Sequence, residues 1–159
     1  MAARGFTIVE VTLALIVFLL MTLMFAAVFP MAVRAAQSSN TYAQAALVAR
    51  HKLDQLRSAG KNNLTGTTVA TKLITTLNIA DAQNADGSFD FTTVDNLTGA
   101  GGYFPAGATG TIVITDASQM AGLYSPPPAG QVVYVTVKVR WTGLSGVASQ
   151  YQTSTFITQ

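Results

Sequence analysis

In 159 residues the chain carries 50% apolar and only 10% charged residues, a net charge of +2, a single histidine and no cysteine. The lack of cysteine excludes disulfides, thiolate metal sites and cysteine nucleophiles, and His51 alone leaves almost nothing for a histidine metal cluster or Ser-His-Asp chemistry to draw on. The length suits one modest domain plus an extra element, and so small a net charge gives no argument for nucleic acid as a partner.

The apolar excess is local. From Phe6 to Val33 the only charged residue is Glu10. As a helix, Val11 to Val33 would span ~35 Å at ~1.5 Å per residue, enough for a hydrocarbon core of ~30 Å. A secretory signal peptide fits poorly, because the run is too long and an acid sits at its start. A plain single-span anchor explains the length and leaves Glu10 unexplained. A buried core helix of a soluble protein is disfavoured by a run this long. A carboxylate in an apolar helix is expensive and by default functional. No basic residue lies three or four positions from Glu10, so the expected partner is elsewhere. A free amino terminus just upstream, on this chain or a neighbour, is a suitable cation.

The segment Arg4-Gly5-Phe6-Thr7-Ile8-Val9-Glu10-Val11 resembles the processing site of type IV prepilins and pseudopilins. The resemblance implies cleavage between Gly5 and Phe6 by a prepilin peptidase, N-methylation of Phe6, and Glu10 as the fifth mature residue. It also implies residence in the bacterial cytoplasmic membrane, single-pass with the C-terminal head outside, followed by assembly with other pilin or pseudopilin subunits into a helical filament. Pairing Glu10 with the N-terminal amine of an adjacent subunit would remove the cost of an unpaired carboxylate. Such a polar pair can set register between otherwise featureless apolar helices.

Pro30, late in the apolar run, predicts a helix kink. Beyond Arg34 the helical pattern continues to about Ser58. Ala35, Ser39, Tyr42, Ala46, Ala49, Leu53 and Leu56 form one face, with Arg34, Gln37, Gln44, Lys52 and Gln55 off it. Asp54 is placed to pair with Arg50 or Arg57, and Gly60 is the expected stop. The result is one helix of ~50 residues, ~75 Å long. The stretch Ala45 to Arg57 resembles the stem of minor pilins that modify type IV pili and of the I-type minor pseudopilin of type II secretion. His51 reads as a surface residue of that stem.

In the remainder, Val69, Leu73 and Leu77 recur at four-residue steps among threonines, leaving helix and strand both open. Asn84 to Ser88 reads as a turn, and Phe89 to Val94 and Thr111 to Thr115 as strands. Between Gln131 and Thr142 the residues Val133, Val135, Val137, Val139 and Trp141 alternate with Tyr134, Thr136, Lys138, Arg140 and Thr142. This pattern predicts a strand with one buried face. A turn over Leu144 to Ala148 and a strand over Tyr151 to Ile157 complete an antiparallel hairpin. The expected fold is α+β, a long helix packed on a small antiparallel sheet. Its parts are a leader (1–5), a transmembrane and filament-core helix (6–33), a helical stem (34–60) and a globular head (61–159).

Two loops are candidate sites. Asp81, Asn84, Asp86, Ser88 and Asp90 surround Gly87 with oxygens, but without the spacing of an EF-hand, so a solvated turn is preferred to a calcium site near Asp86. Gly99 to Gly110 carries Tyr103 and Phe104 among glycines. Pro126-Pro127-Pro128 predicts a stiff connector, and Asn-Leu-Thr-Gly at Asn63 and Asn96 is a short glycan-acceptor match. Lys138 and Arg140, with Tyr134, share one strand face, but two charges are too few to support nucleic-acid binding. No metal site, other cofactor site or catalytic constellation is present, so the expected role is structural and not enzymatic. A minor pilin is favoured over a minor pseudopilin, with an anchored adhesion or DNA-uptake module as the remaining alternative.

Overall fold

The computed structural model describes residues 7–98, 102, 104, 107–120, 126–143 and 146–158. Helix α1 runs from Ile8 to Ala59 and is followed by the short helices α2 (Lys61–Leu64) and α3 (Val69–Thr71), the latter leading into a π-helical turn over Lys72–Thr76. Five strands follow: β1 (Ala82–Gln83), β2 (Phe89–Asp90), β3 (Thr109–Asp116), β4 (Val132–Thr142) and β5 (Ala148–Thr158). They form one antiparallel sheet in the order β1-β2-β3-β4-β5. The architecture is α+β, with α1 packed against this sheet, as the sequence predicts. Compact packing divides the chain into Met1–Ser39 and Asn40–Gln159.

In the second unit the core is built on β4. Val133, Val135, Val137, Val139 and Trp141 are all buried, as their alternation predicts. They share one apolar cluster with Ala45, Val48, Ala49, Leu53 and Leu56 of α1 and with Leu64, Leu73, Phe89, Phe91 and Ile112. Two alanines among the helix contributions let backbone and sheet approach closely. Tyr42 stands edge-on to Trp141, with ring centroids 4.9 Å apart.

The buried face of α1 differs from the expected one. It consists of Ala45, Val48, Ala49, Lys52, Leu53 and Leu56. Tyr42, Ala35 and Ser39 are exposed and Ala46 is half-buried. Ala49, Leu53 and Leu56 belong to both faces, and the buried one is turned toward Ala45, Val48 and Lys52, the last of which the apolar pattern places outside. Lys52 is in fact fully buried. Gly60, with φ 74°, ends the helix as expected.

Between the helix and β1, the Val69, Leu73 and Leu77 spacing resolves as helical, with Leu73 buried. The turn at Asn84 to Ser88 forms, closed by the Asn84 amide donating to the Ser88 carbonyl at 2.8 Å. The strand expected over Phe89 to Val94 stops at Asp90. The Asp90 carboxylate accepts the Thr92 amide at 2.7 Å and bends the chain into a turn despite the strand propensity of Thr92, Thr93 and Val94. Gly110 on β3 makes room for Phe91, since a Cβ there would lie 2.5 Å from the Phe91 ring. The β4–β5 hairpin forms in unbroken register, with the Gly146 amide donating to the Gly143 carbonyl at its turn.

Leu56 is fully buried where α1 enters this core. Leu56→Ala is expected to lower stability by about 2–5 kcal/mol. Denaturant titration of the full chain in detergent checks this through the fluorescence of Trp141, the single tryptophan.

Candidate functional site

Helix α1 starts at a reciprocal cap. The Glu10 amide donates to Thr7 Oγ1 at 3.3 Å, and the Thr7 amide and hydroxyl both donate to Glu10 Oε2 at 3.2 Å. This is the Thr-x-x-Glu capping box, which satisfies amides the helix leaves unpaired at its first turn. Thr7-Ile8-Val9-Glu10 carries the sequence signal for it, which the charge of Glu10 alone does not. The carboxylate also sits at the helix end whose dipole favours negative charge. A carboxylate has about four acceptor positions, so the cap leaves capacity for a further donor. Gly5 and Phe6, the expected cleavage and methylation residues, lie outside the described residues.

Residues 7–40 are exposed without exception. Met24, Phe25, Phe29 and Met31 each present more than 70% of their surface. By length and composition α1 is able to cross a membrane. Its two hydroxyls in the apolar run are turned inward. Thr12 Oγ1 donates to the Val9 carbonyl at 2.9 Å, and Thr22 Oγ1 to the Phe18 and Leu19 carbonyls at 3.1 and 2.9 Å. These bonds leave neither hydroxyl proton seeking a partner in hydrocarbon. Pro30 lies inside α1, which continues as helix to Ala59. Its missing amide removes one rung of the hydrogen-bond ladder without ending the helix.

The second unit contains a buried ion pair. Lys52 Nζ donates to Asp95 Oδ1 at 2.8 Å and to the Ile79 carbonyl at 3.0 Å, and stands 5.1 Å from the centre of the Phe91 ring. Three chain segments thus converge on one ammonium. The other carboxylate oxygen, Asp95 Oδ2, is buried without a hydrogen-bond partner. Asp95 also lines an open cleft of about 400 Å³ with Gln44, Leu47, Val48 and His51. His51 is exposed, as expected, with Nε2 3.0 Å from the Gln55 side-chain amide. Asp54 pairs with Arg57 at 3.2 Å.

The candidate oxygens around Gly87 do not converge. Asp86 Oδ1 accepts from the Ser88 hydroxyl and amide, Asp90 Oδ1 from the Thr92 amide, and Asp81 Oδ2 from the Thr93 amide. Asp86 and Asp90 each cap a local turn while Asp81 holds a segment twelve residues on, and among the described residues no group of three histidine or acidic side chains is placed to hold a metal. Phe104 is buried 5.7 Å from Trp141, closing the core, while Tyr103 lies outside the described residues. Asn63 donates its side-chain amide to the Ala59 carbonyl at 2.7 Å. Tyr134 donates to Ser154 Oγ at 2.7 Å and stacks at a tilt on Phe156, on the same face as Lys138 and Arg140.

No protein-family model, curated protein or solved structure matches the chain.

Two predictions follow from these bonds. Asp95→Ala strands the Lys52 ammonium and is expected to destabilise by about 3–5 kcal/mol, whereas Lys52→Met combined with Asp95→Ala recovers much of the loss. A double-mutant cycle read on Trp141 fluorescence checks both. The Ser88 hydroxyl and amide hold the Asp86 carboxyl below the usual carboxylate pKa of 3.8. The Ser118 amide, followed by its hydroxyl and the Gly130 amide, does the same to Asp116. Depressed folded-state pKa values add stability above 3.8 that is lost as pH falls through that value toward the folded ones. The Tm is therefore expected to drop as pH falls through about 4 and below, and less steeply in an Asp86→Asn, Asp116→Asn variant.

Proposed function

We propose that this chain is a structural, non-enzymatic subunit of a type IV pilus-like filament, of the minor pilin kind. On this reading a prepilin peptidase cuts between Gly5 and Phe6, Phe6 is N-methylated, and α1 holds the protein in the cytoplasmic membrane until it enters the filament. The observation that carries the reading is the uncovered first part of α1, charge-free from Val11 to Val33 and opening on a capped Glu10. A contiguous apolar surface of this extent is a surface for lipid or for other helices.

The chemistry favours assembly over simple anchoring. An anchor needs length and hydropathy alone; the Thr7–Glu10 cap serves the first turn of any such helix, but the carboxylate keeps an acceptor capacity that an anchor does not use. In a filament, the Glu10 carboxylate keeps its bonds to Thr7 and accepts a further bond from the Phe6 amine of a neighbouring subunit. Methylation retains that amine's charge. The pair fixes the axial register of helices whose remaining contacts are apolar. The contact joins different surfaces on the two subunits, so repetition gives an open fibre instead of a closed ring.

The test separates membrane insertion from assembly. Glu10→Ala is expected to leave membrane insertion and the mass of the processed chain unchanged, while incorporation into sheared filaments falls by about tenfold or more. Gly5→Glu is expected to leave residues 1–5 attached. Normal incorporation of the Glu10→Ala protein, or an unprocessed wild-type chain beside active peptidase, would overturn the reading.

A further inference from the structure

The sheet ends on β5. This strand pairs with β4 along its whole length, from Thr158 opposite Val132 to Ala148 opposite Thr142, with no residue skipped. Among the described residues nothing pairs with its other edge. An antiparallel edge strand turns the N–H and C=O of every second residue outward. Folded proteins guard such edges with charged residues, proline, bulges or short strands. None of these is present here: β5 has 11 residues, with no charge, no proline and an unbroken register. Its Thr, Tyr, Phe and Ile residues favour the extended backbone that a further strand would copy.

Beside this edge a cleft of about 280 Å³ is lined by Arg50, Leu53, Asp54, Arg57, Thr153 and Ser154. Arg57 pairs with Asp54 and also donates to Thr155 Oγ1 at 2.9 Å. Arg50 is exposed and has no ion pair among the described residues. Two guanidinium groups against one carboxylate leave the cleft with an excess of one positive charge.

We propose that β5 is a docking edge for an extended segment of a partner polypeptide that carries an acidic side chain. The segment adds as a sixth strand. Its backbone satisfies the outward N–H and C=O groups of β5, which supplies affinity without sequence preference. Side chains of an added strand alternate between the two faces, so every second one lies toward the cleft. A carboxylate at one of those positions meets Arg50 and sets the register. An uncharged edge beside an exposed arginine suits this occupant, because its carboxylate meets Arg50 and no charge on β5 opposes it. The inference uses residues of the second unit alone and stands apart from the filament reading.

The test uses the full chain in detergent micelles and nine-residue peptides of alternating Thr and Val, with Glu or Lys at the centre. The Glu peptide is expected to slow amide exchange at alternate residues of Ala148–Thr158. It is also expected to bind about fivefold more tightly than the Lys peptide, as an exposed charge pair allows. Arg50→Glu is expected to reverse that preference with Trp141 emission unchanged. Unprotected β5 amides with peptide bound, a preference indifferent to Arg50→Glu, or no binding of either peptide would each overturn the proposal. So would protection of β5 that grows with protein concentration alone, which would mean that a second copy occupies the edge.

Discussion

The inner face of β4 has to be covered, and α1 is the element that covers it. Four valines and Trp141 on one side of a strand cannot remain in water without a large loss of hydrophobic stabilisation. The residues that α1 contributes to this core are small or branched, among them Ala45, Ala49, Leu53 and Leu56. Much else in the second unit follows from that contact. The short helices return Leu64 and Leu73 to the same core, and Gly110 leaves the space in which Phe91 closes it.

Lys52 is the exception that this packing creates. Once the helix face is set by Ala45, Ala49 and Leu56, position 52 points inward whatever residue occupies it. A charge there is tolerable only with a counter-charge and hydrogen bonds. Asp95 and the Ile79 carbonyl meet that need, and in doing so they fix the loops that carry them. The orphaned Asp95 Oδ2 is the unfinished part of this arrangement.

The two ends of α1 obey different rules. From Ile8 to Asn40 every residue of the helix is exposed, and the Thr12 and Thr22 hydroxyls are folded back onto the backbone. From Ala45 onward it is amphipathic in the ordinary sense, one face in the core and Arg50, Asp54 and Arg57 outside. A helix with this division is suited to meet apolar neighbours at one end and a folded sheet at the other. The proposed filament role uses the first property, and the β5 docking edge lies beside the second.

The elements legible in the sequence are those governed by local periodicity. Five alternations identified β4 and the partner strand that hydrogen-bonds to it, and the long apolar run identified the start of α1. The Thr7–Glu10 cap is equally local, a Thr-x-x-Glu spacing that hydropathy and charge alone do not reveal. Phe89 to Val94 has the propensity of a strand but not its length, because the Asp90 side chain bends the chain. By itself, then, the sequence determined the long helix, the β4–β5 hairpin and the face of β4 that avoids water, since hydropathy at periods of 3.6 and 2 is a property of neighbours in the chain. Only the tertiary structure decided that Lys52 is buried and that β5 is an open edge among the described residues. The partner of Lys52 lies 43 residues away, and an edge is defined by the strand that fails to arrive.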